Sequence, residues 1–215
     1  MRRKLTRAAA WLAFSVMSAV SLAQAPAAGP PRAAGTGLVP LLIESKAFED
    51  GGVVPLKFSF YGTNTMPDFK LSNLPATAQS IAIIFHDIDV ASGGSPDDVL
   101  HWVAWNIPVT APVTQIEEGK LPEGSINGRN GRAYMGMGAP NGPRYHHYVF
   151  EFYALSAKLD IPAASGRPEL LEAMKGKVLA KAAYVGRFRN DTNAPRPATA
   201  APAGGAAVPP RPAGQ

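Results

Sequence analysis

The chain has 215 residues, no cysteine and a formal net charge of +5. Its 46% hydrophobic content excludes wholesale disorder. The lack of cysteine excludes a disulfide scaffold, a thiolate zinc site and a cysteine nucleophile. A pI near 9.6 suggests a nucleic-acid or acidic-membrane partner until the charges are located.

Residues 1–23 read as a secretory signal peptide. Arg2, Arg3, Lys4 and Arg7 form a basic start, and Ala8 to Val20 is apolar and uncharged. Ser21-Leu22-Ala23 supplies small residues for cleavage after Ala23. Cleavage after Ala25 also fits the small-residue pattern but would leave Pro26 first. The apolar run is short for a transmembrane helix, and an uncleaved anchor is the alternative reading. The expected location is therefore periplasmic or secreted, by the general route rather than the twin-arginine one. Residues 24–37 are a flexible Ala/Pro/Gly linker.

Residues 38–193 form the expected folded domain, long enough to bury a self-sufficient core. Val53 to Phe60 alternates apolar residues and predicts a strand. Further strands are expected over Ser80 to Phe85, Leu100 to Ile107, His147 to Leu155 and Val178 to Phe188. Turn clusters separate them, such as Asp50-Gly51-Gly52 and Ser92-Gly93-Gly94-Ser95-Pro96. One helix is expected near Pro168 to Met174, with Pro168 near its start and Gly176 past its end. Many short strands with one late helix predict a mainly β fold, a β-sandwich. Residues 194–215 hold six prolines and read as a disordered Pro/Ala-rich tail.

Locating the charges changes the first impression. The domain carries 14 basic and 16 acidic residues, a formal net charge of −2. The basic excess lies in the signal segment plus Arg32, Arg196 and Arg211. With no lysine-rich run or RNA-type aromatic motif, no nucleic-acid partner is expected.

Four segments concentrate polar groups that strands ordinarily exclude: Phe85-His86-Asp87-Ile88-Asp89, Leu100 to Pro108, Tyr134 to Pro140, and His146 to Tyr153. Alternation puts His101 on the face of Val103, Trp105 and Ile107. It puts His146, Tyr148, Phe150 and Phe152 on one face and His147, Val149 and Glu151 on the other. Two imidazoles, a phenol and one or two carboxylates can converge on a small anion. Glycine-rich backbone lets amide N–H groups approach it closely, and a neighbouring carboxylate favours cationic histidine. Each histidine taken alone has a purely structural reading, Asp89 a turn-capping one, and Phe150 and Phe152 a core one.

The order Asp-x-Asp, His-Trp-x-x-x-Asn-Ile-Pro, Gly-x-Gly-x-Pro and His-x-Tyr-x-Phe resembles the phosphatidylethanolamine-binding protein family, in its bacterial Raf kinase inhibitor-like branch. The resemblance covers nearly all of residues 41–190. It implies an antiparallel β-sandwich with a few short helices and a small anion pocket at one end. On the matching positions it implies Asp87, Asp89, His101, His146 and Tyr148 as pocket residues, with Gly136, Gly138 and Pro140 lining the loop. His147 falls outside that pocket, and His86 has no family role. The usual Asp-Pro-Asp-Ala-Pro stands here as Asp87-Ile88-Asp89-Val90-Ala91, without either proline, and Met137 stands where the loop often has proline.

The leading expectation is an exported, non-enzymatic protein that binds phosphate or a phospholipid headgroup, with Asp87 holding His101 or His146 cationic and loop amides contacting the anion. No cofactor or metal is expected. The alternative is a hydrolase or metal-dependent enzyme using Asp87, Asp89, His101 and His146. Against it, the sequence has neither His-Glu-x-x-His nor Gly-x-Ser-x-Gly. A homodimer, an envelope protein partner, or inhibition of another protein through the Ser92 to Asp98 loop stays open. The kinase-regulating role of eukaryotic relatives is not carried over.

Overall fold

A computed structural model describes residues 40–191. The proposed signal segment, the linker up to residue 37 and the Pro/Ala-rich tail lie outside the described residues.

The most apolar segment sets the architecture. Ser80–Asp87 (β4) is buried along its whole length, because both of its faces are covered. Val99–Pro108 (β5) and His146–Leu155 (β8) flank it antiparallel. Val178–Phe188 (β9) pairs with β8 along almost its full length. Short edge strands Gly52–Val53 (β2) and Ile126–Asn127 (β7) complete a six-stranded sheet of order β2-β9-β8-β4-β5-β7. The β2–β9 pairing is parallel and the other pairings are antiparallel. A second sheet has the order β1-β3-β6, built from Leu42–Glu44 (β1), Phe69–Ser72 (β3) and Thr114–Ile116 (β6).

One apolar cluster fills the space between the sheets: Phe69, Leu71 and Ile116 meet Ile81, Ile83, Phe85, Phe150 and Phe152. Phe85 and Phe150 stack at 3.9 Å between ring centroids. The alternate residues of the large sheet, Ala82, Ile84, Val103 and Trp105, form a second cluster on its outer face. That cluster is closed by Leu170 and Met174 of the helix Arg167–Met174 (α2). Pro168 stands in the first turn of α2, where its missing N–H has no partner to lose, and Gly176 follows in a left-handed conformation. A single-turn helix, Gly128–Gly131 (α1), follows β7.

The segment Val53 to Phe60 is not the strand its alternation suggests. Pairing stops at Val53, and Leu56–Phe58 makes a 3-10 turn entered through Pro55. Proline removes a ladder donor, and the turn buries Phe58 while leaving Phe60 outside.

Strand β5 carries two single-residue irregularities. Phe85 pairs with Trp102 but His86 with Leu100, so His101 is an extra residue. Ile83 pairs with Ala104 but Ile81 with Ile107, leaving a second extra residue near Asn106. Asn106 takes φ 55° and is held there by Leu159, whose N–H donates to Oδ1 at 2.7 Å and whose carbonyl accepts from Nδ2 at 2.9 Å. Strict alternation would aim His101 with Val103 and Trp105 into the outer cluster. The extra residue aims it instead at the inner face, 5.2 Å from the Phe85 ring and 5.3 Å from the Tyr148 ring.

Candidate functional site

At the end of the sandwich where β4 stops and β5 and β8 begin, a cleft of about 350 Å³ opens. Asp87, His101 and His146 line it with Gly136, Gly138 and Pro140. Its remaining walls are Phe60, Val90, Val99 and Met135. Nothing in the sequence marks Phe60, Val90 or Val99 as site residues. They arrive through the 3-10 turn and the loop around Ser92, which alternation does not register.

The loop from Tyr134 to Pro140 is pinned against the 3-10 turn. Tyr134 donates its hydroxyl to the Phe58 carbonyl at 2.8 Å, and Phe60 N–H donates to the Met137 carbonyl at 2.9 Å. Tyr61 donates to the Gly138 carbonyl at 3.2 Å. Met137 is fully buried in the inner core. Gly136 is obligatory, since a Cβ there would lie 2.3 Å from the Phe58 carbonyl oxygen. A Cβ at Gly138 would meet nothing within 4 Å.

Asp87 is buried and engaged at both oxygens. Oδ1 accepts the Asp89 N–H at 2.9 Å, and Oδ2 accepts Nδ1–H of His146 at 2.8 Å. His101 donates its Nδ1–H to the carbonyls of Met135 and Gly136, at 3.1 and 3.0 Å. Carbonyls only accept, so the proton must sit on Nδ1. In both imidazoles Nδ1 is therefore committed to the protein, and Nε2 is the nitrogen left for a ligand. Of the two histidines, His146 is the one that Asp87 contacts directly.

Tyr148 packs against both rings, edge-on to His101 and stacked on His146 at 6.4 Å, but it is fully buried and, against the expectation, does not line the cleft. Burial pushes its phenol well above the ordinary range, and the nearby Asp87 charge adds to this. Its oxygen accepts the Gly138 N–H at 3.2 Å. Burial likewise lowers the pKa of His101, although the Met135 and Gly136 carbonyls and Asp87 pull it upward.

Two further expectations change here. The loop amides are not free donors, because Gly136 N–H donates to Asn64 Oδ1 at 2.7 Å and Gly138 N–H to Tyr148. Their acceptors come from distant segments, which no local motif reveals. Asp89 does not line the cleft. Its Oδ1 accepts from Arg144 at 2.6 Å, and its Oδ2 accepts from the His147 N–H at 2.5 Å and Nδ1–H at 2.8 Å. Burial works against its ionisation, but these bonds outweigh it and hold its pKa at about 2. His147 is thus outside the cleft, as its strand face implies.

His86 faces the other way, donating Nδ1–H to Asp98 at 2.5 Å. Arg167 of α2 pairs with the other oxygen of Asp98, fastening the approach to β5 onto the helix. Among the described residues no three His, Asp or Glu side chains gather as metal ligands. No helix among them is long and apolar enough to cross a membrane.

Comparison with known proteins shows what the chain is similar to. The family model described as phosphatidylethanolamine-binding protein matches residues 44–189. A UPF0098 protein from Methanothermobacter thermautotrophicus is 35% identical over 154 residues, covering 68% of this chain and 97% of its own length. LppC of Mycobacterium tuberculosis, described as a candidate lipoprotein, is 32% identical over 152 residues, covering 69% of this chain and 72% of its own. The crystal structure of CT736 from Chlamydia trachomatis, described as a homologue of the same family, superposes with a TM-score of 0.63 at 27% identity. The match covers 71% of this chain and 99% of CT736.

Proposed function

Because the chain belongs to the phosphatidylethanolamine-binding protein family, we propose that its cleft binds a phosphate-like anion, free or as a phospholipid headgroup, without transforming it. The observation that carries this reading is the pair of imidazoles, His101 and His146, each anchored through Nδ1 and each lining one small cleft. Once protonated, each offers a single Nε2–H donor that needs no reorganisation to meet an oxygen. Asp87 orients His146, while Tyr148 packs against both rings and Pro140 and Gly138 shape the entrance. Asp89 acts indirectly, by clamping the chain on either side of Asp87 and His146.

The enzymatic alternative lacks a nucleophile at this place. No serine, threonine or lysine is among the cleft's lining residues, and Asp87 has both oxygens engaged. Export of the chain is part of the same proposal. The basic and apolar start of the sequence supports it, as does similarity to a candidate lipoprotein.

The test is histidine NMR on the purified protein. Phosphate and phosphoethanolamine at millimolar concentration should move the His101 and His146 ring signals. Vesicles with and without phosphatidylethanolamine then distinguish a lipid source from a free one. Unmoved histidine signals in every arm overturn the reading. Turnover in a phosphoesterase screen that is lost in His146→Ala replaces it with the hydrolase.

A further inference from the structure

The bulge that brings His101 to the cleft needs a hold of its own. The extra residue has no partner on β4, and the ladder is interrupted there. Among the described residues the strand on the other side of β5 is β7, and it reaches only Ala104 and Trp105. The residues just before His101 are met by side chains from outside the sheet instead.

Two arginines supply these contacts from one place. Arg129 of α1 donates Nη1–H to the Leu100 carbonyl at 3.2 Å, and its backbone N–H donates to the Ser165 carbonyl at 2.8 Å. Gly128, just before it, packs so closely on β5 that a Cβ there would lie 2.5 Å from the side chains of Val103 and Trp105. Arg167, the first residue of α2 and two residues past Ser165, pairs with Oδ1 of Asp98. The other oxygen of Asp98 accepts from His86, which is buried beside Asp87 at the end of β4. The side chains of Asp98 and Arg167 are only 19% and 28% exposed, so their attraction is only partly screened. Asp98 and Leu100 are thus each tied, and Val99 between them is a wall of the cleft. Arg129, Arg167, Asp98 and His86 themselves do not line it.

We propose that Arg129 and Arg167 are positioning residues for the cleft. Anchored around Ser165, they hold residues 98–100 in the shape that turns His101 inward, and they act on an anion only through His101 and Val99. A guanidinium suits this task, because it stays charged and donates from a fixed plane. The entrance of α2, which covers the outer face of the large sheet, is thereby coupled to the cleft. The effect on phosphate rests on the anion-binding reading, but the placement of His101 does not.

The test is ring-nitrogen NMR of the histidines in the full chain, without any added anion. Arg129→Met combined with Arg167→Met should move the His101 signals, because Nδ1–H no longer meets the Met135 and Gly136 carbonyls squarely. The His146 signals, set by Asp87 across β4 and β8, should stay. Arg129→Lys combined with Arg167→Lys keeps a charged donor at each place and should return the His101 signals most of the way. Phosphate affinity should fall by about five-fold in the methionine pair and recover in the lysine pair. If the methionine pair does not fold, Arg129→Met alone removes the bond to the Leu100 carbonyl and gives the same readout. Unmoved His101 signals in a folded variant overturn the proposal, whatever happens to stability. So do His146 signals that move as far as those of His101, which would mean general loosening. If His101 moves but phosphate binds none of the proteins, the positioning stands and the anion reading alone fails.

Discussion

Asp87 and His146 are diagonal neighbours across β4 and β8, their Oδ2 and Nδ1 atoms 2.8 Å apart, with 3% and 8% of each residue exposed. A buried carboxylate is stable only when its lone pairs are used, and both of its oxygens here accept a hydrogen bond. Asp87→Asn keeps the shape but replaces a charge-assisted bond with a neutral one. It should cost about 2 kcal/mol of stability, read by urea unfolding. Phosphate affinity should fall by about ten-fold, worth about 1.4 kcal/mol, because His146 loses the carboxylate that orients its ring. Unchanged affinity in a folded Asp87→Asn protein would remove this pair from the binding mechanism.

His101 gives the domain a pH dependence with a definite sign. Burial holds its folded pKa below the ordinary value of 6.5. As pH falls through that ordinary value, the unfolded chain takes up a proton that the folded domain refuses. Stability from this group should therefore decline on acidification, until the folded His101 also protonates. A bound anion opposes the trend by favouring the imidazolium, so phosphate affinity should increase over the same interval. Thermal melts from pH 8 to pH 5, with and without phosphate, check both signs, and His101→Gln should flatten each.

Asp89 behaves in the opposite sense. Its folded pKa of about 2 lies below the usual 3.8, so it contributes stability that is present above the ordinary carboxylate range. That contribution is lost as pH falls from about 4 to about 2. With Arg144 largely exposed, solvent screening reduces the clamp to about 1 kcal/mol. Asp89→Asn should lower stability by that amount and phosphate affinity by only about two- to three-fold, because it positions the chain rather than touching the anion. A loss of about a hundred-fold would mean direct contact instead.

The two loop glycines should separate cleanly. Gly136→Ala forces a methyl group against backbone at 2.3 Å and should cost about 3 kcal/mol or prevent folding. Gly138→Ala meets open space at a non-positive φ and should change stability by less than about 0.5 kcal/mol. Its methyl still enters the lining of the cleft and should weaken phosphate binding. Equal stability losses in the two variants would contradict the packing described for this loop.

Much of the sandwich is legible in the residues themselves. Val178 to Phe188 is a strand over the span its pattern suggests, and α2 begins one residue earlier than Pro168 implies. The exceptions have local physical causes. Val54, Leu56, Phe58 and Phe60 keep a period of two, yet Pro55 ends the ladder and a 3-10 turn distributes those side chains differently. His101 is an anion-site candidate by motif, but alternation assigns it to the wrong face because an inserted residue leaves no trace in hydrophobicity. Asp89 and the glycine amides look like ligand groups until their partners, Arg144, His147, Asn64 and Tyr148, are brought in from elsewhere in the chain.

The two extra residues of β5 are independent insertions. Phe85 and His86 pair with Trp102 and Leu100 on either side of His101, and Ile83 and Ile81 pair with Ala104 and Ile107 around the second irregularity. Deleting either residue would leave the remaining partners of β4 where they are, at the loss of the cleft imidazole in one case and of the join to Leu159 in the other. The strand therefore carries two residues that owe their place to what their side chains reach and not to the ladder.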